Sequence, residues 1–149
     1  MRQRNRKRRP VVFYHRTTLE SAECVLAKVF RDGEGHYLTR HRHKGVWLSD
    51  VPLAVNEGAR GDILFKVSLD MNASELDCYE WVEEGKSYRE WLVPARVINP
   101  RMRLDIVDEY GLLGHHFPSR WLKPLFSESI RNLRRLTELA RARHRMKRS

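Results

Sequence analysis

The chain is predicted to fold as an α+β domain with few helices, and three observations carry that expectation. Its apolar segments run in the order strand, helix, strand, short helix, several strands, late helix. Strands therefore outnumber the helices that right-handed parallel crossovers would need, which disfavours a doubly wound sheet. Of 149 residues, 38 are Leu, Ile, Val or Phe, well above the roughly 20% below which charged chains stay disordered, and the length suits one core.

The elements follow in order. Residues 1–10 (MRQRNRKRRP) are polybasic with nothing to bury, and are expected to form a disordered arm. Val11-Val12-Phe13-Tyr14 is a β-prone run that delivers His15 to a turn. Thr17-x-x-Glu20 has capping-box spacing, in which hydroxyl and carboxylate each satisfy a free backbone N–H. Leu19, Ala22, Val25, Leu26 and Val29 then recur at helical spacing, so a helix is expected over residues 19 to about 30. Asp32-Gly33-Glu34-Gly35 stops it, and the polar stretch 34–44 reads as a loop or a hairpin around Tyr37-Leu38-Thr39.

Gly45-Val46-Trp47-Leu48-Ser49 is the next strand. Asp50 and Pro52 sit where a capping carboxylate and an early proline would open a short helix running to about Gly58. Ile63, Phe65, Val67 and Leu69 alternate with Leu64, Lys66 and Ser68, the period of a half-buried strand. A weaker apolar set (Leu76, Cys78, Tyr79, Trp81, Val82) leads to a turn at Glu83-Glu84-Gly85-Lys86. Residues 88–98 are β-prone but interrupted by Pro94, which confines them to an edge, a bulge or two consecutive strands. One more strand is expected over 103–107. From Ser127 a helix is expected, with Ile130, Leu133, Leu136, Leu139 and Ala140 on one face. The organisation is thus a basic arm at 1–10, a domain at 11–125 and a basic helix at 126–149.

The net charge of +10 belongs to the ends. Residues 1–9 hold six cations and no anion, and 131–149 hold eight cations against Glu138. The intervening 10–130 carries 15 cations and 18 anions, a mildly acidic body. Both tails are suited to neutralising phosphates, so nucleic acid or another polyanion is an expected partner. No apolar stretch approaches the ~18 residues of a membrane span, and neither a membrane partner nor a secretory leader is expected. Cys24 and Cys78 form no CxxC, which suits a reducing, cytoplasmic compartment. His36, His41, His43, His115 and His116 lack a partner Cys or an HExxH, so no metal site is expected. Neither GxGxxG nor GxxxxGK[ST] is present, which argues against those two nucleotide sites.

Four short motifs in a fixed order carry more. They are Tyr14-His15-Arg16-Thr17 followed by a helix and Phe30-Arg31-Asp32-Gly33; Gly45-Val46-Trp47-Leu48-Ser49-Asp50; Ile63-Leu64-Phe65-Lys66-Val67-Ser68-Leu69; and Glu90-Trp91-Leu92-Val93. In this order, over residues 11–107, the chain resembles the ADP-ribosyltransferase superfamily, in particular its poly(ADP-ribose) polymerase-like branch with a His-Tyr-Glu constellation, here with Trp47 in the tyrosine place. The resemblance implies a split β-sheet core and NAD as co-substrate. It implies that Glu90 bonds the nicotinamide ribose and stabilises the oxocarbenium-like transition state. His15 would hold an adenosine-ribose hydroxyl, main-chain groups of Arg16 the nicotinamide amide, and Trp47 would stack on the nicotinamide ring. Thr17, Ser49 and Asn56 complete the implied cofactor contacts.

Departures from the family pattern carry expectations of their own. Arg16 replaces a glycine, so its side chain must turn away from the pocket or face a ligand phosphate. Position 88 is Tyr, where arginine-modifying transferases carry Glu or Gln, so arginine is not the expected acceptor. The acceptor is otherwise open: protein, nucleic acid or small molecule. Two alternatives stand beside the leading one. An RNA 2′-phosphotransferase uses the same fold and NAD, and Arg40-His41-Arg42-His43 with the basic tails would suit an RNA; a non-catalytic nucleic-acid-binding module on this fold would need the tails alone.

Overall fold

A computed structural model describes residues 9–37, 39–114 and 124–149, with side chains from 127 in the last segment. The expected basic arm lies outside these residues except for Arg9 and Pro10, as do His115 and His116. The architecture is α+β. Seven strands, β1 (Val11–Thr17), β2 (Gly33–Gly35), β3 (His43–Ser49), β4 (Ile63–Leu69), β5 (Glu80–Trp81), β6 (Glu90–Val93) and β7 (Met102–Ile106), form one sheet in the order β5-β6-β3-β1-β4-β7, with β2 paired to β3. Every pairing is antiparallel. Among the described residues three α-helices accompany it: α1 (Leu19–Ala27), α2 (Ala95–Ile98) and α3 (Pro124–Met146). None of them is long and apolar enough to cross a membrane.

The sheet has a fork. β1 pairs with β4 along its whole length, from Val11↔Leu69 to Thr17↔Ile63. Against β3 it pairs only at Tyr14↔Ser49, beyond which the two strands part. β3 takes its remaining bonds from β6 (Val46↔Val93 to Ser49↔Glu90) and from β2 (Gly33↔Gly45 to Gly35↔His43). Alternation along the strands puts Phe13, Val46, Leu48, Phe65, Val67, Trp91 and Val93 in one apolar core, which α1 closes with Ala22, Val25 and Leu26, and α3 with Leu136 and Ala140. Tyr14, Ser49 and Glu90 are cross-strand neighbours and share the opposite face.

Several elements differ from the sequence expectation for identifiable reasons. The true N-cap of α1 is Thr18, whose Oγ1 accepts the Ser21 N–H at 3.2 Å, so the Thr17-based capping box is not the one formed. α1 also stops at Ala27, before residue 30. Its end carbonyls are taken by the Arg143 guanidinium, which donates to Val25, Leu26 and Lys28 at 3.4, 3.2 and 2.6 Å, and Val29 is left 41% exposed. Asp50 caps no helix; its Oδ1 accepts the Arg89 N–H at 2.9 Å, tying the end of β3 to β6, and only a single 3-10 turn, Val55–Glu57, forms before Gly58. Gly33–Gly35 is an edge strand as well as a helix stop. The β-prone 88–98 divides at Pro94 into β6 and the one-turn α2, and Leu139 of α3 lies 42% exposed, off the buried face.

Gly61 has a special position. Its φ is +100°, and a Cβ there would lie 2.1 Å from the Thr17 carbonyl oxygen and 2.5 Å from the Thr18 N. Backbone therefore passes directly over backbone where β1 ends, with no side chain to move aside. Gly61→Ala is expected to destabilise the fold by at least about 2 kcal/mol, from the positive φ and the overlap together, read as a lowered midpoint in thermal or urea denaturation.

Candidate functional site

The fork is bridged by a side chain. His15 Nδ1 lies 2.8 Å from the Trp47 carbonyl oxygen, across the gap where a ladder bond between β1 and β3 is missing. A carbonyl only accepts, so Nδ1 carries the proton and Nε2 is left with its lone pair as an acceptor. The ring also stands edge-on to Phe30, centroids 5.1 Å apart. Burial pushes the His15 pKa below its ordinary 6.5, and the Trp47 bond opposes this without reversing it. The imidazole is therefore neutral at pH 7.

Phe30 is itself fixed. Its N–H donates to Asn99 Oδ1 and its carbonyl accepts from Asn99 Nδ2, both at 3.0 Å. Asp32 Oδ1 accepts the Ala95 N–H at 2.7 Å. The segment after α1 is thus stapled to both ends of α2, and through Phe30 it sets the orientation of His15.

Two cavities open at the fork. The first, of about 440 Å³, is lined by His15, Trp47 and Glu90 together with Arg16, Thr17 and Ser49, so six of the seven residues singled out from the sequence converge there. The second, of about 600 Å³, lies over α1 and includes Ser21, Cys24, Lys28 and Arg31. His15, Thr17, Tyr37 and Trp47 line both, so the two form adjoining lobes with a shared wall. Asn56, the seventh residue, is exposed in the 3-10 turn and lines neither.

Each converging residue has a definite setting. Glu90 opens β6, and its Oε2 accepts from Lys86 Nζ at 2.7 Å; Lys86 also reaches Glu83 at 2.9 Å. Burial of Lys86 works against its charge, but the bonds and attraction from Glu90 and Glu83 prevail and hold its pKa above the ordinary lysine value. The Arg16 side chain is engaged by protein partners. Its Nε donates to Leu53 O at 2.6 Å and its two terminal nitrogens grip Glu109 at 2.8 and 2.5 Å, a bidentate clamp along the cavity edge. Ser49 is buried, and its hydroxyl donates to Val51 O at 2.7 Å, so it holds the turn after β3.

Among the lining residues that sequence reasoning missed, three shape the first cavity most. Tyr37 and Trp81 make an aromatic wall with Trp47, with Tyr37–Trp47 centroids at 5.0 Å and Trp47–Trp81 at 5.3 Å, each pair near perpendicular. Trp81 Nε1 donates to Glu83 at 2.9 Å, which holds the indole in place. Lys86 is the third. Tyr37 sits in a polar hairpin connection and Trp81 in a two-residue strand, where no periodicity marks a residue; the only signal for Lys86 was its four-residue distance from Glu90.

Chemically, the first lobe offers an aromatic wall of edge-to-face rings, an ionisable carboxylate held by a lysine, and a neutral imidazole acceptor. The second offers the cations Lys28 and Arg31 beside the hydroxyl of Ser21. Among the described residues no group of three His, Cys, Asp or Glu is placed to hold a metal ion. Compared with known proteins, the chain matches no family model, no curated protein and no solved structure.

Two outcomes follow from this arrangement. Asn99→Ala leaves a Phe30 N–H and carbonyl unpaired and is expected to cost about 1–3 kcal/mol in denaturant unfolding. For His15, the unfolded chain titrates near 6.5 while the folded chain resists protonation. The unfolded state therefore binds more protons below that pH, and stability is full above about 6.5 and falls as pH drops. His15→Asn, which keeps a donor at the Nδ1 position but does not titrate, is expected to flatten the decline of melting temperature between pH 7 and 5; an unchanged decline would count against a buried neutral His15.

Proposed function

We propose that the chain binds NAD across the fork and transfers ADP-ribose from it to an acceptor, releasing nicotinamide. The supporting observation is that His15, Trp47 and Glu90, which come from β1, β3 and β6, line a single cavity beside a second lobe. A dinucleotide has two halves, and two adjoining lobes suit it better than one.

The chemistry assigns the halves. Breaking the bond between ribose C1′ and the nicotinamide nitrogen sends the electron pair to the leaving ring and leaves positive charge on the sugar. A fixed carboxylate beside that sugar stabilises the charge, because it needs no reorganisation as the charge develops. Glu90 takes that role in the first lobe, and it then accepts the proton of the acceptor group that bonds to C1′. Lys86 acts as a positioning residue that orients the carboxylate through its 2.7 Å hydrogen bond. Trp47, with Tyr37 and Trp81 behind it, presents a face for the nicotinamide ring. The His15 Nε2 lone pair accepts from a ribose hydroxyl, a bond that its fixed tautomer favours. Lys28 and Arg31 bring positive charge to the phosphate-bearing half.

Nicotinamide release from NAD, with thermal shift as a separate measure of binding, tests the reading. The wild type is expected to be stabilised by millimolar NAD and to release nicotinamide. Glu90→Gln should keep the stabilisation and lose about 10²–10³ of the rate, the usual cost of removing one transition-state partner. A wild type that NAD neither stabilises nor reacts with removes the proposal.

A further inference from the structure

The two faces of α3 are committed differently. Ile130, Leu133, Leu136 and Ala140 are buried, and the helix packs on β7 and α1. Its last turns are tied to β7 by polar bonds: His144 Nε2 lies 2.7 Å from Leu104 O, and Lys147 Nζ donates to Met102 O at 3.1 Å. Between this helix end and β7 lies a groove of about 430 Å³, floored by Met102 and lined by Arg103, Arg141, Arg145, Lys147 and Arg148.

The positive charge there exceeds what the fold consumes. Arg143 is spent on the end of α1 and does not line the groove. Two of the lining cations have carboxylate partners: Asp105 lies 3.5 Å from Arg103, and 3.4 Å from the lining His144, and Glu138 meets Arg141 at 3.2 Å in an exposed pair. Among the described residues no carboxylate pairs with Arg145 or Arg148. Cations near a helix C-terminus do answer its dipole, but that dipole amounts to only about half a charge and acts within the last turn. Five cations in one concavity are far more than it needs. The Lys147 pKa is held below the ordinary lysine value, by burial first and then by the charge of Arg143, which lies outside the groove.

We infer that this groove binds the phosphodiester backbone of a nucleic acid. It is independent of the NAD reading, since it shares no residue with the two lobes at the fork. Its lining separates it from a membrane-binding surface: an interfacial helix must insert an apolar face, and among the described residues of α3 Ile130, Leu133, Leu136 and Ala140 are already buried in the protein, which leaves Leu139 and Met146 as separate exposed apolar side chains. Among the described residues the lining holds no Phe, Tyr or Trp on which a base would stack, so the contact is to backbone phosphates and is sequence-independent.

Fluorescence anisotropy of the full chain with a labelled 20-nucleotide RNA and the matching DNA, across a salt series, tests this. The double variant Arg145→Glu/Arg148→Glu should weaken binding at least about tenfold and flatten the log–log salt slope by about 2, one for each lost phosphate contact. Among the described residues neither side chain has a carboxylate partner, and an unchanged melting temperature verifies that the variant is folded. Arg131→Glu/Arg134→Glu makes the same charge change at exposed positions in the N-terminal half of the same helix and should cost less than about threefold. Equal losses in the two variants, a groove variant that binds like the wild type, no wild-type binding at all, or tighter binding to phosphatidylserine vesicles than to nucleic acid would each overturn the assignment.

Discussion

The hydrogen bond from His15 to the Trp47 carbonyl organises the molecule. A sheet whose central strands separate leaves backbone groups without partners, and unpaired polar groups in a low-dielectric setting are costly. The imidazole supplies one of the missing partners itself. By doing so it keeps β1 and β3 at a set separation, and space opens on both sides of the bond. Phe30, Asn99 and the α2 turn form the scaffold behind the ring. The fork is therefore a built feature, with the apolar core on one side of it and the ionic pair of Lys86 and Glu90 on the other.

How much of this was readable from the sequence depends on where a residue's partners come from. β4 was plain, because Ile63, Phe65, Val67 and Leu69 are packed on one side and the alternation records that packing. α3 was plain for the same reason, apart from Leu139. β2 was not, since two glycines and a glutamate have no strand preference and pair only because β3 offers a free backbone edge. The end of α1 was hidden as well: helical spacing continues to Val29, but Arg143, more than a hundred residues away, takes the carbonyls that end the helix.

The cleft divides along similar lines. His15, Trp47 and Glu90 were found from the order of their flanking motifs, and the fold places all three around one cavity. Asn56 came from position relative to a motif alone, with no structural requirement behind it, and it stands outside. Tyr37, Trp81 and Lys86 reach the cavity from a hairpin connection, a two-residue strand and a turn. Their positions depend on tertiary contacts, chiefly the mutual edge-to-face packing of three aromatic rings, which leaves no trace in local spacing.

The two free cysteines occupy different settings. Cys24 stands in the wall of the larger lobe over α1, while Cys78 lies in the 3-10 segment Ala73–Tyr79 and lines neither lobe. The protein therefore carries its own chemical reporter. With Cys78 replaced by serine, the rate at which an alkylating reagent captures the remaining thiol registers whether that lobe is empty or filled, with no need to know what fills it.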